Sequence, residues 1–249
     1  MALARAGLKA EDIGMVISGS SLPQFLTPCE ASTVAADLNI DVPCFDINSA
    51  CATYGVQMLY LDSVKPEKLP PYVLVTNIEG ATTTIDYSDR RTAVLFGDCA
   101  TASILSTSVP SGMIFSDCEM ASKPTMWDKA VVPRWGYFNQ DGNAVQGFAI
   151  RKTTDGLRNM LALIPGADMS RVFFIGHQAN FGVLQTAAER ANIPPENHWY
   201  NVNCFGNVGC AGGPSVLSQH WDDLRSGDFV AFSLVGGGLT WTQMLLTIK

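Results

Sequence analysis

Histidine, positive charge and long apolar runs are all scarce in this sequence of 249 residues. Only three histidines are present, so a reaction that needs an imidazole has three candidates. Lysine and arginine total 16 against 23 acidic residues, and the net charge of -7 argues against nucleic acid or an anionic membrane as the main partner. No apolar run reaches the ~18 residues of a membrane span. The N-terminus, Met1–Lys9, lacks the hydrophobic segment of a signal peptide.

The seven cysteines include no CxxC pair, so they indicate neither a disulfide framework nor a zinc site. We therefore expect a reducing, cytoplasmic setting and no metal. Phosphate-binding loops of the GxxxxGK and GxGxxG types are also absent. What the chain does have is 47% hydrophobic residues, enough for a folded protein with a large core.

Segments of strand type alternate with helical segments along the whole chain, which predicts α/β layers. The order strand, helix, strand, polar turn, helix occurs twice and indicates a duplicated unit. A break rich in Pro, Gly and Ser at Val109–Gly112 separates an N-terminal half, 1–108, from a C-terminal half, 109–249. Predicted strands include Val42–Ile47, Arg171–Ile175, His198–Val202, Phe229–Val235 and Thr240–Ile248. Predicted helices include Cys29–Asn39, Cys51–Val64, Asn143–Ile164, Phe181–Asn192 and Gly213–Arg225.

Cys51 is a candidate nucleophile because it follows a predicted strand and the polar turn Asn48–Ala50, and opens a predicted helix. The dipole and free N–H groups of a helix N-terminus favour a thiolate over a thiol. The N–H of the same residue can also serve an oxyanion hole. The alternative is a buried structural cysteine, which is a common small hydrophobic residue.

Other candidate residues lie where strands or turns end. His177 follows a predicted strand, where sites gather in α/β sheets, although a capping histidine explains it equally well. His198 and His220 are better explained as structural or surface residues. Asn207 lies in a glycine-flanked turn, and Gly236–Gly238 would let backbone N–H groups approach a ligand closely. Both segments are also typical of ordinary turns.

Five motifs together resemble one family. In order, they are SAC (Ser49–Cys51), DRRTAVLFGDCA (Asp89–Ala100), GHQAN (Gly176–Asn180), FGN (Phe205–Asn207) and GGGLTW (Gly236–Trp241). The chain resembles the β-ketoacyl-ACP synthase III family, condensing enzymes of the thiolase fold, from about Met1 to Lys249. The resemblance implies duplicated α/β layers in the order αβαβα. Thiolases proper carry a second cysteine near the C-terminal glycine loop, which this chain lacks, and plant-type chalcone synthases have a different glycine signature.

The resemblance implies that Cys51 takes an acyl group from an acyl-CoA or acyl-carrier thioester. His177 and Asn207 would stabilise the enolate that forms when a malonyl thioester loses CO2. The backbone N–H groups of Cys51 and Gly238 would form the oxyanion hole. Further substrate-binding residues implied by the resemblance are Phe25 at an acyl pocket across a dimer interface, Arg90 near the CoA adenine, Asn143 in the pantetheine tunnel, Asn180, Gly236 and Gly237. No metal or redox cofactor is implied, since the CoA thioester is a substrate.

Two basic residues that the family uses to dock acyl carrier protein are missing. Gly182 stands where the family has an arginine after HQAN, and Gly147 stands near the place of a lysine. An acidic chain without these cations attracts an acidic carrier poorly. We therefore expect a specialised lipid or polyketide-type pathway that uses CoA thioesters or an unusual carrier.

The first strand and helices of the family precede the position of Met1, and Met1–Leu8 has the pattern of the end of a helix. We expect that strand in the middle of the first sheet, so that the N-terminal half is incomplete. Another polypeptide would then fill the gap, in a homodimer or a heteromer. A truncated product and a rearranged N-terminal half are the alternatives.

Two other functions are open. One is acyl transfer to an alcohol or amine without condensation, and the other is a non-catalytic or co-catalytic subunit of a heteromeric ketosynthase complex. The presence of all three of Cys51, His177 and Asn207 favours condensation over both. A stretch rich in methionine and aromatic residues, Met113–Phe138, is typical of core or interface packing and also suits an acyl tunnel.

Overall fold

A computed structural model describes every residue from Met1 to Lys249 and contains two principal β-sheets with helices between and outside them. The first elements in chain order are α1 (Ala2–Ala6), β1 (Met15–Gly19), α2 (Glu30–Asp37), β2 (Cys44–Asp46), α3 (Thr53–Ser63), β3 (Tyr72–Gly80) and β4 (Asp98–Ser106). They are followed by β5 (Met113–Ser122), β6 (Ala130–Val131), β7 (Asn139–Gln140), α4 (Gly142–Ala162), β8 (Val172–Gly176), α5 (Phe181–Arg190), β9 (His198–Trp199), α6 (Val202–Phe205), α7 (Gly212–Gln219), β10 (Phe229–Gly236) and β11 (Thr240–Ile248).

The two sheets have matching strand orders. The first runs β2-β1-β3-β4, with β1 parallel to β2 and β3, and β4 antiparallel to β3. The second runs β9-β8-β10-β11-β5, with β8 parallel to β9 and β10, and β11 antiparallel to β10 and β5. The first four strands of each sheet therefore correspond one to one, which confirms the duplication. Only β5 has no counterpart in the first sheet.

The expected gap in the middle of the first sheet is absent, and that expectation is wrong. β1 pairs with β2 on one side and with β3 on the other, and β3 pairs with β4 along Tyr72–Gly80. The strand without a counterpart, β5, lies at an edge of the second sheet beside β11. The equivalent position in the first sheet is the outer edge of β4. No facing rows of unpaired backbone groups therefore interrupt the sheet.

Helices α3 and α7 form the middle layer between the sheets. Helix α3 contacts β1 and β3 of the first sheet and β5 and β11 of the second, and α7 contacts β4 and β8. Successive side chains of a strand point to opposite faces. Ile17 of β1 accordingly joins the central core, whereas its neighbour Val16 packs with Ala31 of the outer helix α2. With α4 outside the second sheet, the predicted order αβαβα is confirmed.

Most predicted elements are present with bounds within about two residues of those expected. The predicted strand His198–Val202 is wrong beyond Trp199, because the N–H groups of Asn201 and Val202 donate to Gln178 Oε1 rather than to a neighbouring strand. The helix predicted to reach Arg225 ends at Gln219. None of the helices combines the length and the apolar character that a membrane crossing requires.

The methionine- and aromatic-rich stretch contains an element that the sequence pattern did not indicate. Its first part forms β5, and Met113 and Phe115 pack against the central core. Farther along, Trp127 and Trp135 are exposed. Core packing therefore accounts for the beginning of the stretch and for Met126, which packs against a smaller cluster, but not for the two tryptophans.

Candidate active site

Cys51 lies in a tight turn between β2 and α3 that neighbouring side chains hold in place. Ala50 has a left-handed backbone conformation, with φ of 48°, which a non-glycine residue adopts at a cost in energy. The N–H of Ala50 donates to Asn48 Oδ1 at 2.9 Å. Thr53 Oγ1 accepts from the N–H of Ser49 at 2.8 Å and donates to the Ala50 carbonyl oxygen at 2.6 Å. These bonds place Cys51 two residues before the first residue of α3.

The sulfur of Cys51 is enclosed by protein, although the residue as a whole is only partly buried. Burial, and after it the carboxylate of Glu79, raise the pKa of the thiol to about 12 against the opposing effect of the residue's own backbone N–H. The expected thiolate is therefore wrong for the free protein. The helix N-terminus is a local effect, and the loss of water around the sulfur outweighs it.

The glycine loop Gly236–Gly238 lies directly against the Cys51 turn. A methyl group on Gly236 would stand 2.8 Å from the backbone nitrogen of Ala52 and 2.9 Å from that of Cys51. Such contacts are shorter than real Cβ atoms make, so only glycine fits there. Gly238 has φ of 126°, again a conformation that suits glycine. The backbone of β10 therefore ends next to the backbone nitrogen of the candidate nucleophile.

His177 follows β8 and is bound to the strand that leads to this loop. Its backbone N–H donates to the Ser233 carbonyl oxygen of β10 at 3.0 Å, three residues before Gly236. Ring atom Nδ1 is buried and has no hydrogen-bond partner within the chain. Burial lowers the pKa of His177 to about 4, so the imidazole is neutral at pH 7. A neutral imidazole carries one N–H and can donate one hydrogen bond to a ligand.

Asn207 follows α6, and its backbone is bound to the N-terminal half of the chain. Its N–H donates to the Leu95 carbonyl oxygen at 2.8 Å, and its own carbonyl oxygen accepts from the N–H of Gly97 at 3.1 Å. The side-chain Oδ1 accepts from the N–H of Gly209 at 3.0 Å. Because Oδ1 is engaged, the Nδ2 amide group is the part of the side chain left to donate to a ligand.

Glu79, which is not among the residues predicted from sequence, is only 3% exposed near the end of β3. Its carboxylate acts on the Cys51 sulfur, and its Oε1 accepts from the N–H of Cys210, three residues after Asn207. The structure thus brings the segments of Cys51 and Asn207 together around one buried acid, while β10 joins the segment of His177 to the Cys51 turn. An acidic residue after an apolar strand is normally solvated, and nothing in the local pattern marks it as buried.

The remaining predicted residues lie nearer the surface. Phe25 is 48% exposed, and Arg90 and Asn143 are also exposed. No carboxylate lies within 4.0 Å of Arg90. The side chain of Asn180 accepts from the N–H of Val183 at 3.1 Å and caps α5, so it already has a structural role.

Comparison with known proteins gives two matching family models. The model described as 3-oxoacyl-[acyl-carrier-protein (ACP)] synthase III matches residues 45–124, and the model of that enzyme's C-terminal part matches residues 167–248. The β-ketoacyl-[acyl-carrier-protein] synthase III of Aquifex aeolicus is 30% identical, over 98% of this chain and 80% of its own length. This chain belongs to the β-ketoacyl-ACP synthase III family. Cys51, Arg90, His177 and Asn207 lie in the matched ranges, and Phe25 and Asn143 lie outside them.

Solved structures agree with this family membership. The 3-oxoacyl-[acyl-carrier-protein] synthase III of Aquifex aeolicus has a TM-score of 0.91 at 29% identity and covers 98% of this chain and 80% of its own. The β-ketoacyl-ACP synthase III of Thermus thermophilus also has a TM-score of 0.91, at 26% identity, covering 99% and 81%. The predicted thiolase-like fold and the predicted enzyme class, a condensing acyltransferase of this family, are confirmed.

Proposed function

We propose that this chain forms an acyl-Cys51 thioester from an acyl-CoA and condenses it with a malonyl thioester by decarboxylative Claisen chemistry. The observation that carries the proposal is the contact between the Cys51 turn and the Gly236–Gly238 loop. His177 and Asn207 lie on the two segments that adjoin this contact through Ser233 and Glu79. We propose that the buried Cys51 thiol, two backbone donors and two neutral side-chain donors act together in one site.

In the first half-reaction, the Cys51 sulfur attacks the carbonyl carbon of the acyl-CoA. The bond from that carbon to the CoA sulfur breaks, and the proton of Cys51 passes to the departing CoA thiolate. The backbone N–H groups of Cys51 and Gly238 donate to the oxyanion of the tetrahedral intermediate. Mutational data give about 2.7–4 kcal/mol for one such donor. Because the pKa of the thiol is about 12, loss of the proton must accompany attack.

In the second half-reaction, the carbon–carbon bond between the malonyl carboxylate and C2 breaks and releases CO2. The electron pair of that bond enters the thioester enolate, whose oxygen accepts hydrogen bonds from the His177 imidazole and the Asn207 amide. The enolate carbon then attacks the acyl-Cys51 carbonyl, the bond from that carbon to the Cys51 sulfur breaks, and the departing thiolate takes a proton from water. A ring that has a pKa of about 4 is neutral at pH 7, and the N–H of a neutral imidazole donates a hydrogen bond to the enolate oxygen without changing its charge.

We propose CoA thioesters, rather than a typical acyl carrier protein, as the acyl donors of a specialised pathway. Gly182 and Gly147 stand where carrier-docking cations are expected, and the chain has a net charge of -7. Like charges oppose encounter with an acidic carrier. Exposed Arg90, which has no ion-pair partner, would receive the adenine end of CoA, with Asn143 along the pantetheine and Asn180 near the site.

For assembly, we propose an oligomer in which exposed Phe25 meets the acyl pocket of a second subunit. The outer edge of β4 is the second proposed contact. It is unpaired in this chain, whereas the equivalent edge of β11 pairs with β5. A strand from a second polypeptide would satisfy the free N–H and C=O groups of β4. Native mass spectrometry of the purified protein tests this, and a single-chain monomer as the active species would refute it.

The proposed chemistry requires neither a metal nor a redox cofactor, because the thiol, the backbone N–H groups and the two side-chain donors supply each step. CoA enters as a substrate and leaves as a product. All seven cysteines are free in the structure. A reducing compartment such as the cytoplasm preserves a free nucleophilic thiol, and we propose that setting.

The test combines mass spectrometry with release of labelled CO2. Wild-type protein should gain an acyl mass on Cys51 from a panel of acyl-CoA and acyl-carrier thioesters, and Cys51→Ala should gain none. Addition of carboxyl-labelled malonyl thioester should then release CO2. An acyl-enzyme that releases no CO2 would refute condensation and favour transfer to an alcohol or amine. A complex fully active with Cys51→Ala would indicate a non-catalytic subunit.

A further inference from the structure

The buried carboxylate of Glu79, which the proposed reaction does not use, lies between the segments that carry Cys51 and Asn207. Glu79 is 3% exposed, and its Oε1 accepts from the backbone N–H of Ser21 at 3.0 Å and from that of Cys210 at 3.4 Å. Ser21 lies in the loop after β1 that also carries Phe25. A buried charge costs free energy unless it is well paired, and here its hydrogen-bond partners are backbone groups of two separate loops.

The packing around Glu79 extends to the side chain of Asn207. Gly209 has φ of 56°, and a methyl group on it would stand 2.6 Å from Cγ of Glu79. The Glu79 side chain therefore occupies the space that any other residue at position 209 would need. The N–H of this same glycine donates to Asn207 Oδ1 and sets the direction of the amide. A change at Glu79 is thus transmitted to the Asn207 donor through one residue.

Glu79 also acts on the Cys51 thiol through its negative charge. Two titratable groups face Cys51 from neighbouring elements, Glu79 on β3 and Cys210 in the turn after Asn207. Burial raises the pKa of Cys210 well above its ordinary value, so this second thiol is uncharged. A carboxylate beside a thiol opposes formation of the thiolate.

We propose that Glu79 is a positioning residue that joins the loop of Phe25 to the loop of Asn207 and presents its carboxylate charge to Cys51. The inference rests on the proposed function for the role of Asn207. It assigns two separable effects to one side chain, since the hydrogen bonds depend on an acceptor oxygen and the electrostatic effect depends on the charge. Glu79→Gln keeps an acceptor and removes the charge, whereas Glu79→Ala removes both.

The first measurement is the rate at which iodoacetamide alkylates Cys51 between pH 6 and pH 10, followed by peptide mass spectrometry. Cys51 in Glu79→Gln should be alkylated about threefold faster or more at pH 8, which is the change that a fall of half a unit in the pKa of the thiol produces. Glu67→Gln makes the same chemical change at an exposed site and should behave as wild type. An unchanged profile in folded Glu79→Gln would overturn the electrostatic half of the inference.

The second measurement is CO2 release from the malonyl thioester. Glu79→Ala should lower the rate at least about tenfold below that of Glu79→Gln, because only the alanine variant frees the Gly209 turn. Equal rates for the two variants would overturn the positioning half. If Glu79→Ala does not fold, the amide hydrogen exchange of Ser21 and Cys210 in Glu79→Gln tests the positioning role instead. Protection of both amides at the wild-type level would support this role, because the glutamine side chain keeps an acceptor oxygen, and loss of protection would overturn it. Wild-type protein without CO2 release would refute the proposed function instead, and alkylation would still test Glu79.

Discussion

Replacement of Gly236 by alanine is the perturbation that most sharply tests the contact between β10 and the Cys51 turn. The new methyl group would meet the carbonyl oxygen of Ser49 and the nitrogen of Ala52 at 2.8 Å, and the nitrogen of Cys51 at 2.9 Å. All three are backbone atoms, so no side chain can rotate away. Ordinary contact begins at 3.4 Å, so the turn and the strand end must separate by about 0.6 Å.

The cost of this separation follows from two effects. Insertion of a methyl group into a packed region destabilises a protein by about 1–3 kcal/mol. For a chain of this length, 1 kcal/mol corresponds to a change of about 2–4 °C in Tm. The effect on the rate of acylation should exceed the effect on stability, because displacement of a reacting group by about 1 Å can slow a reaction about 100-fold. We expect Gly236→Ala to slow acylation of Cys51 at least tenfold.

The assay is the time course of the acyl-Cys51 mass after addition of acyl-CoA, together with Tm from thermal unfolding. Gly147→Ala is the matched control, because a methyl group there meets nothing within 4 Å in the middle of α4. Alanine is favoured over glycine inside a helix by about 1 kcal/mol, so the control should have an equal or higher Tm and normal acylation. Acylation and Tm at wild-type values in Gly236→Ala would refute the described contact.

Three further outcomes follow from the burial of individual groups. The rate of alkylation of Cys51 should rise about tenfold per pH unit from pH 6 to pH 10, because the pKa of its thiol is about 12. A plateau in that rate near pH 8 would contradict this value. His198 stacks on Phe174 at 5.2 Å, and burial lowers its pKa to about 4. Below pH 6.5 the unfolded chain therefore binds more protons at His198 than the folded chain does, which destabilises the wild type. The free energy of unfolding of His198→Phe, measured in urea relative to wild type, should be up to about 2 kcal/mol higher at pH 5 than at pH 8. An equal difference at both pH values would count against this. Gln178→Ala should lower the free energy of unfolding by about 1–3 kcal/mol, because it leaves the buried N–H of Asn201 without its acceptor. A loss below about 1 kcal/mol would contradict this.

The repeated order of segments was enough to predict the duplicated layers, but not the order of strands within a sheet. Pattern and spacing show which residues alternate between faces, as Val16 and Ile17 do. They do not show whether a strand lies at the centre or the edge of its sheet. The expectation of a central gap came from the family resemblance, and the pattern of the chain offered no check on it. In the same way, the end of β9 at Trp199 depends on Gln178, a partner from the preceding strand end that local sequence does not reveal.

The candidate site was predictable to the extent that it depends on motifs. Cys51, His177 and Asn207 stand out when the five motifs are taken in order, and the family comparison covers the same segments. The ionisation state of Cys51 was not predictable, because the helix effect is local, whereas burial and Glu79 come from distant parts of the chain. Glu79 itself escaped notice because its burial depends on Ser21 and Cys210, far from it in sequence.

The most direct test of the central claim is the release of CO2 from a malonyl thioester by acylated wild-type protein, compared with Asn207→Ala and His177→Ala. The proposal predicts CO2 and a β-ketoacyl product from the wild type. It predicts that each variant still forms acyl-Cys51 but loses CO2 release by about 100-fold, the effect of one lost donor to a developing oxyanion. Wild-type protein that acylates Cys51 and releases no CO2, or variants that release it at the wild-type rate, would contradict the claim.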